Sequence, residues 1–466
     1  MGKKNTVALN AAINIARQCC GILFPLLITR HVTGVLGAAN YGKIGFGSSV
    51  VEYFSLIAAL GVSAYGVREG AKVREDPQKL QALCSRIFTI NLLSTAFSYG
   101  LLALALTWKP LQDYRPLLWI QSSVILFGTL GADWINNIFE DFRYIALRQI
   151  FFQLLGVAGV LWWVRSSEDY LLYAGIMALS KIGGNLANIF YIRKKYLPLK
   201  LTRDLRLRSH LRGMLYLFGS AAAGALYLHF GTTLLPFFHG DAATGVYSLS
   251  LKIYTIVKQL LYAVACVVLP RLAAHLGSND EAAYQKLLNQ LLLILLVLLL
   301  PACVGLFVLS PQVIGLLAGS DYLPGVQTLR LLTLALPLGI GGYFLLFGVL
   351  IPKNQEKASL LAPAAGAAAN VLLSAALIPR FSLQGAALGV LAAEGAALLV
   401  SLRHSRGLWQ PDVSQKQARG PLLGSAAVAL ICAIAQRQLQ GSFAILAAAI
   451  TGSAVAYGLI LLLFRK

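Results

Sequence analysis

Charge is what this 466-residue chain has least of. Only 12% of its residues are charged, against about 25% in soluble domains, and 58% are hydrophobic. Together with a mean hydropathy of +0.71, this excludes an ordinary soluble domain and predicts a polytopic membrane protein. Cysteine is also sparse. Cys19, Cys20, Cys84, Cys266, Cys303 and Cys432 include no C-x-x-C pair, which excludes a disulfide framework or a thiolate metal site. Each is expected to be a small buried hydrophobe. No G-x-x-x-x-G-K-[ST] loop is present, so energy from nucleotide bound in that way is excluded. Met1-Gly2-Lys3-Lys4 leads into an apolar stretch with no small-residue cleavage site, so a retained first span is expected rather than a cleaved leader or a Gly2 lipid anchor.

Long apolar runs are what the chain has in abundance. Runs able to cross about 30 Å of hydrocarbon fall near 7–28, 44–66, 87–106, 117–137, 149–164, 170–192, 213–238, 243–269, 288–309, 323–350, 358–378, 383–402, 421–436 and 443–464. They predict an all-α protein of about 14 transmembrane helices with both termini on one side. Basic residues choose the side. With the termini inside, inner segments hold 27 Lys/Arg and outer loops seven, the positive-inside signature. The net charge of +21 therefore reflects topology and lipid contact, not nucleic acid. The most basic segment, 193–212, separates six spans from eight. The expected organisation is an N-lobe at 1–198, a cytoplasmic linker at 199–212, a C-lobe at 213–403, a loop at 404–420, and two extra spans within 421–466. Gly37, Ala39 and Gly42 recur as Gly240, Ala242 and Gly245, each 203 positions later, which points to an internal repeat.

Charges inside the spans carry the functional reading. Ser48, Glu52, Ser55 and Ala59 form a polar stripe at helical spacing, and a carboxylate there must face a bundle interior or a wet cavity. Arg17, Lys181, Lys252, Lys258 and Arg330 oppose Glu52, Asp133 and Glu394 within spans, a net of +2. Facing lipid, these eight charges would cost on the order of 20 kcal/mol. Asn10, Asn14 and Arg17 align on one helix, as do Lys181, Asn185 and Asn188. Lys252 lies beside a face carrying Tyr247, Tyr254 and Lys258. A cationic cleft lined by these groups suits a diphosphate, with tyrosine rings against sugar faces. Glu52, Glu394 and Asp133 are read as ion-pair or coupling carboxylates, and the pairing of Arg17 with Glu52 as plain structural glue stays open. No catalytic residue and no metal site is expected.

The opening stretch resembles the polysaccharide repeat-unit flippases, the oligosaccharide flippase or polysaccharide transporter branch of the superfamily that includes multidrug exporters. Pro25, Val35-Leu36-Gly37, Tyr41-Gly42, the run Ser55 to Gly61, and Tyr65-Gly66-Val67-Arg68-Glu69 carry the resemblance. Further pieces are Gly245-Val246-Tyr247-Ser248, Leu269-Pro270-Arg271-Leu272, Pro352-Lys353-Asn354, Asn370, Pro379 and Gly385-Ala386-Ala387. Gly34 stands where the family often has an arginine, and Arg30 is the nearby cation that could replace it. The resemblance implies two six-helix lobes around a central polar cleft. It also implies movement of an undecaprenyl-diphosphate-linked oligosaccharide from the inner to the outer leaflet of a bacterial cytoplasmic membrane, by alternating access. No cofactor is implied; membrane potential or H+/Na+ antiport would supply energy, and other polysaccharide-assembly membrane proteins are candidate partners. The alternatives are a lipid-linked peptidoglycan precursor flippase, a multidrug exporter of the same superfamily, and, in another class, a membrane glycosyltransferase, polymerase or ligase.

Overall fold

The computed structural model describes residue 21 and residues 26–412 and 415–464. Every regular element among them is helical. Among the described residues, nine helices are long and apolar enough to cross a membrane, and three of these are long kinked helices. In chain order the helices are α1 (Thr29–Ala59), α2 (Val62–Lys72), α3 (Pro77–Ala105), α4 (Arg115–Gly131), α5 (Asp133–Ile138), α6 (Phe142–Trp163) and α7 (Tyr170–Lys195). They continue as α8 (Leu207–Gly277), α9 (Glu281–Val308), α10 (Ser310–Ala318), α11 (Val326–Tyr343), α12 (Glu356–Ser405), α13 (Gln415–Gln438) and α14 (Ser442–Leu463). The chain divides into two compact units, residues 1–229 and 230–466.

Two kinks have the same backbone. Gly37 breaks α1 at φ 72, ψ 172, and Gly240 breaks α8 at φ 77, ψ 177. A side chain is strained at such positive φ, which accounts for glycine at both corners. Each corner is tied within its own unit by a histidine: His31 Nε2 donates to Val164 O at 2.9 Å, and His239 Nε2 donates to Ile378 O at 2.7 Å.

In the first unit, α2 lies close against α5. A Cβ on Gly66 would sit 2.6 Å from the Trp134 ring, and one on Gly70 would sit 2.3 Å from the Ile138 side chain. The two glycines, four residues apart on one helical face, let the backbones approach. The start of α8 joins this unit. Tyr65 Oη and His210 Nδ1 bond at 2.9 Å, and a Cβ on Gly61 would meet Met214 O at 2.5 Å. That packing explains why the compact unit runs past the expected lobe end at 198. In the second unit, α13 and α14 pack with Leu309 in one apolar cluster that includes Val428, Cys432, Leu446 and Ala449.

Two expectations are corrected. The segment 138–148, read as a loop, is mostly the start of α6, because Arg148 has a partner that lets it enter the bundle. Cys84 and Cys432 are buried as expected, but Cys266 is exposed and Cys303 half-buried. Cys266 Sγ lies 3.1 Å from Tyr343 Oη at the surface of α8.

Candidate functional site

In the first unit, the polar stripe of α1 opens into a cavity of about 240 Å³. Ser48, Glu52 and Ser55 line it from α1, Gln121 from α4, and Tyr173 and Lys181 from α7. Glu52 and Lys181 are both exposed; Glu52 lies on a candidate membrane-crossing element, and Lys181 lies midway along α7. They share the cavity without forming a salt bridge. Gln121 Nε2 donates to Ser48 Oγ at 3.2 Å, and Ser55 Oγ donates to Val51 O at 2.9 Å, so the stripe's hydroxyls are satisfied locally. Two opposite charges thus remain available to a solute, in surroundings where lipid contact would be costly.

Asn188, expected to align with Lys181, turns away from that cavity. Asn188 is buried and donates to Gly131 O at 2.6 Å and to Asp133 Oδ1 at 2.9 Å. Arg148 Nη2 contacts both Asp133 oxygens, at 2.7 and 2.8 Å. Asp133 opens α5, where a helix N-terminus also favours negative charge. This knot assigns Asp133 to an ion pair with Arg148, a partner missed because Arg148 had been counted as a loop cation.

In the second unit, Glu394 of α12 accepts from both Lys258 and Tyr254 of α8. The Lys258 and Glu394 side chains are only 12% and 6% exposed. Gly339 of α11 makes room for them, since a Cβ there would sit 2.7 Å from Glu394 Oε2. Lys258 also lies over the Tyr254 and Tyr262 rings, 5.6 and 5.5 Å from their centroids. Lys258, expected to line a cationic cleft, has its acid on another helix, which spacing along one helix cannot reveal. Tyr247 and Tyr254 are both 0% exposed, so neither presents a ring to an open cleft in this conformation. They sit on a polar-looking face that packing turned inward. Lys252 is half-buried on the same helix.

Arg330 Nε donates to Phe307 O at 3.3 Å, and its guanidinium stacks over the Phe307 ring. A cation at the C-terminal end of α9 complements unpaired carbonyls, so Arg330 ties α11 to α9 rather than reaching a cleft. Arg30 is exposed near the start of α1. Asn10, Asn14 and Arg17 lie outside the described residues. Among the described residues, no group of His, Cys, Asp and Glu could hold a metal ion.

Comparison with known proteins gives this geometry a context. A candidate O-antigen transporter of Shigella dysenteriae is 23% identical over 385 residues, covering 82% of this chain and 95% of that protein. The solved structure of lipid II flippase MurJ in an inward closed conformation matches with a TM-score of 0.77 at 16% identity, covering 98% and 99% of the two chains. A multidrug resistance MATE transporter in an inward-facing conformation matches with a TM-score of 0.59 at 13% identity, covering 85% and 97%. The fold is therefore that of a multi-pass membrane transporter. The model of the family described as polysaccharide biosynthesis protein matches residues 7–275, more than half of the chain, which belongs to that family.

Proposed function

We propose that this protein flips an undecaprenyl-diphosphate-linked oligosaccharide repeat unit from the inner to the outer leaflet of a bacterial cytoplasmic membrane. The observation that carries this reading is the pair Glu52 and Lys181, two charges on membrane helices facing one polar cavity. A sugar diphosphate cannot cross hydrocarbon unaided, because each desolvated charge and hydroxyl would lose its water partners. Lys181 would replace water at the phosphates as a compact cation. With Lys258 paired to Glu394 and Arg148 to Asp133, Lys181 and Glu52 are the charges that line the cavity.

Transport here is alternating access without covalent chemistry, with both termini cytoplasmic and polysaccharide-assembly membrane proteins as neighbours. Outward movement of an anion is aided by an inside-negative potential, by about 2.3 kcal/mol per charge per 100 mV. Glu52 is the candidate for coupling H+ or Na+ entry, because its carboxylate is exposed to the cavity.

The test is made in the native host. Loss of the protein is expected to leave lipid-diphosphate-linked repeat units on the cytoplasmic face. The intact chain should restore their export, and Lys181→Ala should not. Accumulation of a lipid-linked peptidoglycan precursor instead would assign the protein to that substrate.

A further inference from the structure

A second cavity, of about 400 Å³, lies at the other end of α7 and has no part in the transport reading. Phe88 of α3, Leu130 of α4, Ile189 of α7 and Leu199 of the following segment supply apolar walls, and Arg193 and Lys200 supply two cations. The segment after α7 is strapped along α3. Lys200 N donates to Ser85 Oγ at 3.3 Å, Thr202 N to Thr89 Oγ1 at 3.2 Å, and Arg86 Nη2 to Asp204 Oδ2 at 2.6 Å.

The local acids are already engaged. Asp141 holds Lys195 at 2.7 Å, while Asp204 holds Arg86 and lies 3.4 Å from Arg206. Among the described residues, Arg193 and Lys200 form no ion pair with any of them. Two side-chain cations beside an apolar chamber, at the strongly basic end of a membrane helix, call for an anion joined to hydrocarbon.

We infer that this cavity binds one anionic phospholipid, its phosphate between Arg193 and Lys200 and part of an acyl chain along Phe88, Leu130 and Ile189. Anionic lipids of the inner leaflet supply that chemistry, and each nearby cation strengthens their binding severalfold. Bound lipid would also hold the strap against α3, since a ligand that binds only the folded form raises its stability.

The test uses the full-length protein in detergent, titrated with phosphatidylglycerol or phosphatidylcholine and read by native mass spectrometry. Tighter binding of phosphatidylglycerol is expected, weakened about tenfold or more by Arg193→Ala/Lys200→Ala. A cavity-filling Leu199→Trp variant, checked for unchanged circular dichroism, should weaken it similarly, while Lys194→Ala should leave it unchanged. Equal binding of both lipids, displacement of phosphatidylglycerol by millimolar inorganic phosphate, or full binding by Leu199→Trp would each overturn the proposal. If Leu199→Trp does not fold, protection by phosphatidylglycerol in a thermal melt decides. A higher midpoint in the intact protein but not in Arg193→Ala/Lys200→Ala supports the site, and an equal rise in both overturns it.

Discussion

A buried charge is tolerated when its partner is buried with it, and Lys258 with Glu394 is the clearest case in this protein. Removing one partner leaves an uncompensated charge in the interior, at a cost of about 3–5 kcal/mol, whereas replacing both is far milder. Lys258→Met is therefore expected to lower the thermal midpoint sharply, and Lys258→Met/Glu394→Met to recover most of the loss. A double-mutant cycle in detergent measures the difference. If the double variant loses as much as the two single variants added together, the pair is not coupled. Asp141 offers a contrast outside the membrane. Partial burial pushes its pKa up, but hydrogen bonds from Lys195, Tyr191 and Tyr196 outweigh this and hold it at about 2. A carboxylate depressed on folding stabilises above its unfolded pKa near 3.8, and that contribution disappears as pH falls towards 2. Asp141→Asn should thus cost about 2 kcal/mol between pH 5 and 8 with no slope across that range. Unfolding midpoints at several pH values check this, and the gap between the two proteins should narrow only below pH 4.

At the scale of elements, the glycines of the Tyr65-Gly66-Val67-Arg68-Glu69-Gly70 run explain themselves through packing. Gly66 faces a rigid indole, so Gly66→Ala should destabilise by about 1–3 kcal/mol. Gly128, exposed on α4 with open space around its Cα, should tolerate alanine or gain up to about 1 kcal/mol from helix propensity. Comparing the two thermal midpoints separates close packing from a general effect of glycine. From residue 44 onwards, the expected spans fall largely on described helices, because hydropathy and length are properties of the chain itself, although those at 44–66 and 117–137 are broken at Leu60-Gly61 and Ala132. What the sequence could not reveal was pairing across helices: Arg148 with Asp133, Glu394 with Lys258, and the inward turn of Tyr247 and Tyr254 all depend on rotation about helix axes. The polar stripe at Ser48, Glu52 and Ser55 was legible because a carboxylate within a span has few places to point. The matching backbones at Gly37 and Gly240 support the reading of an internal repeat, although the flanking sequence retains only three small residues of it.

For the whole molecule, the central claim is that cationic and polar groups inside a helical membrane protein carry a diphosphate-linked oligosaccharide across the bilayer. Family membership makes polysaccharide assembly the setting, and Lys181 and Glu52 are the residues proposed to act within it. The most direct measurement is the sidedness of an undecaprenyl-diphosphate-linked oligosaccharide in proteoliposomes, comparing the intact protein with Lys181→Ala. The account predicts that the intact protein exposes the sugar on the opposite face, faster when the starting side is electrically negative. The well-folded variant should do so at least about tenfold more slowly, the loss of one or more kcal/mol per phosphate-facing cation. Equal rates for the two proteins, or no movement of the lipid-linked sugar by either, would contradict it.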